Sequence, residues 1–251
     1  MAKQEGPIKI TGTLGDKVYY KRGNSFYVKQ KKHVDPKHII KGPGYNTQRA
    51  NMMEFGHASK AAQLIFLAFA HSHRLAKDIC LSGHLTREIR RVIKSDKQNE
   101  YGKRNITDAE TFLMEGFEFN EDAPLSKVLL VPYTATINTD TGKMQVTITG
   151  QGQHKMVKAP RSATHFMVHL AASSIDFVNR QHVSCATSSE TLPLEGTPGA
   201  PLTLIVNLPP NNVHPHFLAL RISFLQECNG VIKPLNTIVH NAMAFVKVHS
   251  V

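Results

Sequence analysis

The chain has 251 residues, 41% of them hydrophobic, with 30 Lys+Arg against 19 Asp+Glu and a formal net charge of +11. This length suits one large domain or two small ones with a buried core, and the composition excludes a disordered chain. Three widely spaced cysteines, Cys80, Cys185 and Cys228, exclude a disulfide framework.

The N-terminus is polar, with no apolar secretory stretch. The longest apolar run, residues 64–70, is far shorter than the roughly 20 residues that span a bilayer. A cytoplasmic protein with no membrane span is therefore expected. The charge is uneven. Residues 1–104 hold 21 Lys+Arg and 8 Asp+Glu, a net +13, whereas residues 105–251 hold 9 and 11, a net −2. A basic segment of this density attracts polyanions, or the mildly acidic half of another copy.

In chain order, residues 8–13 alternate apolar and polar, 14–16 read as a turn, and 17–21 and 25–29 are aromatic and β-branched strands joined through Arg22-Gly23-Asn24. A Pro/Gly-rich loop follows over 35–44. Asn46 or Thr47 is a candidate cap for a long helix whose middle is apolar all round, the mark of a central helix or of one packed on another chain. Gly83 is expected to separate it from a second helix at about 85–96. There Leu85, Ile89, Val92 and Ile93 form one face, and Arg87, Arg90, Arg91 and Lys94 the other. Thr107-Asp108-Ala109-Glu110 matches a capping box and predicts a third helix ending near Gly116.

From about Ser126 the texture changes to short strands. They are expected at 128–138, 144–149, 164–170, 202–208, 217–226, 231–235 and 242–248, with a hairpin turn at Asn229-Gly230 and a long loop over 188–201. The expected fold is α+β: a basic β-hairpin arm and connector (1–44), a helical region (45–125) and a C-terminal antiparallel β-sandwich of Ig-like type (126–251).

Several segments carry a resemblance. The front end, Gly6-Pro7-Ile8-Lys9-Ile10-Thr11-Gly12-Thr13-Leu14-Gly15, Val18-Tyr19-Tyr20-Lys21-Arg22-Gly23, Arg49, Asn51, Glu54-Phe55-Gly56 and Ala58-Ser59-Lys60-Ala61, resembles a group of conserved Bacteroidota proteins of about 250 residues with no known activity. The far end, 217–222, 229–231 and 241–244, is similar to the same group. The resemblance covers about half the chain. It implies a bacterial, non-secreted origin and supplies no site residues.

The chemistry-bearing residues form no familiar constellation. His71 and His73 are two apart on a predicted helix and face apart. His165 and His169 on a strand would share a face about 13 Å apart, too far for one ion with ligands at about 2 Å. His214-Pro215-His216 has no neighbouring Cys, Asp or Glu. There is no Gly-x-Ser-x-Gly and no Walker A sequence, and Cys185 reads as a small buried residue. Gly150-Gln151-Gly152 lacks a third glycine and a following helix. Glu115, Glu118, Glu121 and Asp122 read as charged helix ends and loops. No catalytic residue, metal ligand or cofactor is expected.

The sharper signal is basic and aromatic. Tyr19, Tyr20, Phe26 and Tyr27 interleave with Lys17, Lys21, Arg22, Lys29, Lys31 and Lys32, and half of the rings, Tyr20 and Phe26 or their alternates, are expected to pack a small core. Rings of this kind stack unpaired bases and cations neutralise phosphates. The Arg87, Arg90, Arg91 and Lys94 stripe offers a second polyanion contact. Alternatively, the hairpin, marginal alone in water, adds its strands to another subunit, with the apolar 64–70 helix supplying further contact. The expectation is a self-assembling homo-oligomer or filament; a nucleic acid or an acidic protein is the alternative partner.

Overall fold

A computed structural model describes residues 2–31, 36–74, 76, 79–149, 155–195, 201–235 and 238–250. The chain divides into two compact units, Met1–Arg49 and Ala50–Val251. Lys32 and Gly150-Gln151-Gly152 lie outside the described residues.

In the first unit, β1 (Ala2–Lys3), β2 (Gly12–Leu14), β3 (Lys17–Arg22) and β4 (Ser25–Gln30) form an antiparallel sheet in the order β1-β4-β3-β2. The β3–β4 turn is the two-residue Gly23-Asn24, with Gly23 at φ +60°, a backbone that glycine enters without a Cβ clash. The strand expected over 8–13 is reduced to Gly12–Leu14. The Gln4 side-chain amide takes its place, donating to the Ile10 carbonyl at 3.1 Å and accepting the Ile10 N–H at 3.0 Å. The connector expected as a loop contains α1 (Pro36–Lys41) and a 3-10 turn, Pro43–Tyr45. The Arg49 guanidinium ties them together, donating to the carbonyls of Ile39 (2.8 Å) and Gly42 (2.7 Å). Next comes α2 (Asn46–Ala68). Asn46 has helical φ −55° and ψ −46°, so it lies within the helix and not in the extended cap conformation expected of it.

The second unit adds α3 (Ala70–His73), α4 (Leu81–Ile93) and α5 (Leu125–Val128). Its strands are β5 (Tyr133–Ile137), β6 (Lys143–Ile148), β7 (His165–Asp176), β8 (Gln181–Ser188), β9 (Leu192–Pro193), β10 (Leu202–Asn207), β11 (His216–Cys228), β12 (Val231–Pro234) and β13 (Ala242–His249). Gly83 lies inside α4 and does not precede it. The predicted third helix is only a 3-10 turn, Thr111–Met114. The Asn105 side chain captures the N–H groups of Thr107 (2.8 Å) and Asp108 (3.2 Å), so the capping box never closes. The strand expected at 128 gives way to α5, because the Pro124 carbonyl accepts the Lys127 and Val128 N–H groups and the Glu118 carboxylate accepts that of Leu125. The loop expected over 188–201 contains β9, paired with β7.

Antiparallel β10-β6-β5 forms one sheet; β12-β11-β7-β8, with β13 on β11 and β9 on β7, forms the larger one. Strand alternation gives the larger sheet two apolar faces. Phe166, Val168, Leu170 and Ala172 of β7, with Leu218, Leu220, Ile222 and Phe224 of β11, share a core with Met144, Val146, Ile148, Leu204 and Val206 of the smaller sheet. Ala171, Ile175, Phe217, Ala219, Met243 and Phe245 face the other way. They share a core with Ala58, Ala61, Ile65 and Ala68 of α2 and with Leu85, Ile89, Val92 and Ile93 of α4. Covering both faces requires the continuous apolar run that β11 displays. Helices and strands thus share one core. Leu64, Ile65, Ala68 and Phe69 are buried in it, as expected of a central helix, while Leu67 of the same segment is 53% exposed.

Candidate polyanion-binding and partner-contact surfaces

Each unit carries one of the two basic groups. In the first unit, the register Tyr20↔Tyr27 and Lys21↔Phe26 assigns each side chain to a face. Lys17, Tyr19 and Lys21 project with Phe26 and Val28; Arg22, Tyr27 and Lys29 project with Val18 and Tyr20. The predicted contact residues are therefore split between two faces. Tyr20 and Tyr27 stack with ring centroids 5.9 Å apart and 27° between planes. The Lys29 ammonium lies 5.3 Å from the Tyr20 ring, and that of Lys21 lies 5.7 Å from the Phe26 ring, both within cation–π range. Lys31 follows β4, exposed, its N–H bonded to the Asp16 carbonyl at 2.6 Å. No described residue of this unit is buried. Tyr20, expected as small-core packing, is half-buried and part of the ring stack. The two-residue Gly23-Asn24 turn, which fixes the pairing, is the sequence signal that would have placed it there.

In the second unit, α4 buries Leu81, Leu85, Ile89, Val92 and Ile93. Its opposite side, with Arg87, Arg90, Arg91 and Lys94, lines an open groove of about 670 Å³ whose other wall includes Phe55 and Ser59 of α2. The structure brings all four predicted cations together and adds hydroxyls from Ser82 and Thr86. Arg87 pairs with Glu121 at 3.0 Å, Arg91 pairs with Glu88, and Arg90 donates to Asn51 at 3.0 Å. Among the described residues the buried Arg90 Nε has no hydrogen-bond partner, and Lys94 forms no ion pair. Phe55, 53% exposed, offers an aromatic face beside them. Helix periodicity located the cations but not Phe55 and Ser59, which reach the groove only through packing of α2 on α4.

Strand register creates a further polar cluster that spacing along the chain does not reveal. Ser188, His169 and Arg221 are consecutive cross-strand partners on β8, β7 and β11. The Ser188 Oγ is 2.6 Å from His169 Nδ1, the contact a serine nucleophile makes with its base. The third member is the wrong charge, however. Burial first, and then the Arg221 cation, hold the His169 imidazole down at about 3, where it is a poor proton acceptor. Arg221 is itself lowered to about 10 by burial and donates to the Ser72 carbonyl at 2.7 Å. Burial raises Glu118 to about 7, against the opposing N–H bonds from Leu125 and Ser126.

Of the histidines weighed and set aside as metal ligands, His73 is 2% exposed. His73 donates from Nε2 to the Phe66 carbonyl (2.9 Å) and packs on the Phe66 ring. Among the described residues no three His, Cys, Asp or Glu side chains converge as a metal-ligand set, and no helix is long and apolar enough to cross a membrane. Cys185, expected as a small buried residue, is an exposed free thiol, as are Cys80 and Cys228. Cys185 lies on β8, whose burial pattern is exposed at nearly every position. No family model, curated protein or solved structure matches the chain.

Proposed function

We propose that this chain is a non-catalytic, self-assembling protein in which the N-terminal sheet contacts another copy. The facing sheets of the second unit, of the Ig-like kind suggested by the strand pattern, serve as the rigid body. The observation that carries this reading is the lack of any fully buried residue among those described in the first unit, whose aromatic and β-branched strand residues are half-buried. A four-stranded sheet bearing Val18, Tyr19, Tyr20, Phe26, Tyr27 and Val28 has no buried residue among those described, while Ile8 and Leu14 are 78% and 67% exposed. A sheet of this size needs a covered apolar face to be stable in water, and exposed apolar surface of this kind marks an interaction site. The net +13 of residues 1–104 against −2 for 105–251 favours packing of one copy's front half on another's back half, a heterologous contact that yields rings or filaments.

Hydrogen exchange at two protein concentrations tests this. Amides of β3 and β4 are expected to gain protection as concentration rises; equal protection at low and high concentration sinks the reading.

A second reading rests on the α4 groove. Four cations beside an exposed phenylalanine suit a single-stranded nucleic acid, its phosphates on the Arg/Lys row and a base on Phe55.

A further inference from the structure

The hairpin joining β7 to β8 carries a backbone feature that its sequence does not favour. Arg180 adopts φ +58°, a left-handed conformation usual for glycine and occasional for asparagine. Asp176 enforces the turn. One carboxylate oxygen accepts the N–H groups of Val178 and Asn179, each at 2.9 Å, and the other accepts the Asn179 side-chain amide at 2.7 Å. A strained non-glycine residue held by its surroundings is a pointer to function. Here it places a guanidinium at the rim of a cavity of about 240 Å³.

Across that cavity α2 contributes Lys60 and His57, while Ala61, Leu64, Ile106 and Phe177 make its walls apolar. Among the described residues no carboxylate lines it. The His57 ring is fixed: its Nδ1 lies 2.9 Å from the Arg104 carbonyl, which can only accept, so Nδ1 carries the hydrogen. Arg104 is in turn clamped by Glu54 through bonds of 2.6 and 2.9 Å. Two permanent cations at the rim of an apolar floor suit an anion that carries an apolar group.

We infer that the cavity between α2 and the β7–β8 turn binds a small phosphate monoester, its dianionic group held by Arg180 and Lys60 and its apolar body lying on Leu64 and Phe177. The inference is independent of the assembly reading. Two fixed positive charges match a dianion better than a monocarboxylate, and the cavity admits a group of single-ring size, not a polymer.

Amide NMR of the full chain, titrated with phenyl phosphate and separately with phenol, tests it. Phenyl phosphate is expected to give saturable shifts at residues 57–60, 105–107 and 177–180, with phenol binding at least about tenfold more weakly, as loss of charge-assisted hydrogen bonds implies. Arg180→Gly separates binding from folding. It relieves the left-handed strain, so its melting temperature should rise or hold, while its affinity for phenyl phosphate falls about tenfold or more. Lys60→Gln, on an exposed helix face, should lose affinity similarly without a change in melting temperature. No saturable shift in these segments, phenol binding equal to phenyl phosphate, or wild-type affinity in Arg180→Gly would each overturn the assignment.

Discussion

Tyr20 and Tyr27 lie directly opposite each other on β3 and β4, their rings stacked 5.9 Å apart, and neither is buried. Cross-strand aromatic pairs contribute about 0.2–1 kcal/mol to a sheet, too little to hold four short strands together without a covered face. The pair belongs to the surface proposed above for assembly, with Lys29 over one ring.

The second unit is anchored differently. Glu54, 1% exposed, accepts two bonds from Arg104 and the Gly102 N–H at 3.0 Å. Burial pushes the Glu54 carboxyl up, but the bonds and charges from Arg104, Gly102 and Arg90 outweigh it and hold it below its ordinary value. Arg104→Ala leaves this carboxylate unpaired and is expected to cost about 3–5 kcal/mol, read from urea unfolding at pH 7. Because the folded value is depressed, the pair's contribution is present above the unfolded carboxyl value and fades as pH falls through the folded one. The deficit of Arg104→Ala should therefore shrink in acid.

Two half-buried groups titrate in opposite senses. His169, held at about 3, stays neutral in the fold while an unfolded histidine binds a proton below about 6.5. Its share of stability is thus lost as pH falls from about 6.5 toward 3, by at most about 1.4 kcal/mol per unit. Burial lowers His216 in the same direction. Glu118, raised to about 7, favours the protonated form in the fold, so it costs stability as pH rises from about 4.5 to 7. Glu118→Gln should then exceed wild type by about 1–3 kcal/mol at pH 8, after allowance for partial solvent screening, and match it at pH 5. His169→Asn should flatten the acid limb between pH 6.5 and 5. Urea midpoints across pH 5–8 read both effects; parallel curves for wild type and Glu118→Gln would contradict the assignment.

Much of this was legible in the chain. Asn229-Gly230 sits between β11 and β12 with φ of +53° and +75°, the type I′ turn its sequence announces. Leu85, Ile89, Val92 and Ile93 recur at helical spacing, and all four are buried. What escaped depended on tertiary packing. Only the first five residues of β7 alternate in burial and the rest are buried throughout, so periodicity marks where the strand starts and not where it ends. Thr107 satisfies a local capping pattern that Asn105 overrides from two residues away. The Ser188–His169–Arg221 row follows from register across strands, which spacing along the chain does not reveal.

The α4 groove makes a quantitative prediction for single-stranded nucleic acid. If its four cations each meet a phosphate, log Kobs should fall with log salt at a slope of about −3. Replacing Arg91 and Lys94 together with Gln should cut that slope by about half, and Phe55→Ala should weaken binding by about 1–3 kcal/mol. Fluorescence anisotropy between 50 and 200 mM salt measures both; a slope unchanged in the double variant places the contacts elsewhere.

The most direct test of assembly through the first unit is light scattering coupled to size exclusion on nuclease-treated protein, wild type beside Tyr20→Ser/Tyr27→Ser. The account predicts a wild-type mass above that of one chain, unaffected by nuclease, and a single-chain mass for the variant with an unchanged unfolding midpoint for the second unit. A wild type that elutes as one chain, or a variant that assembles as wild type does, would contradict it.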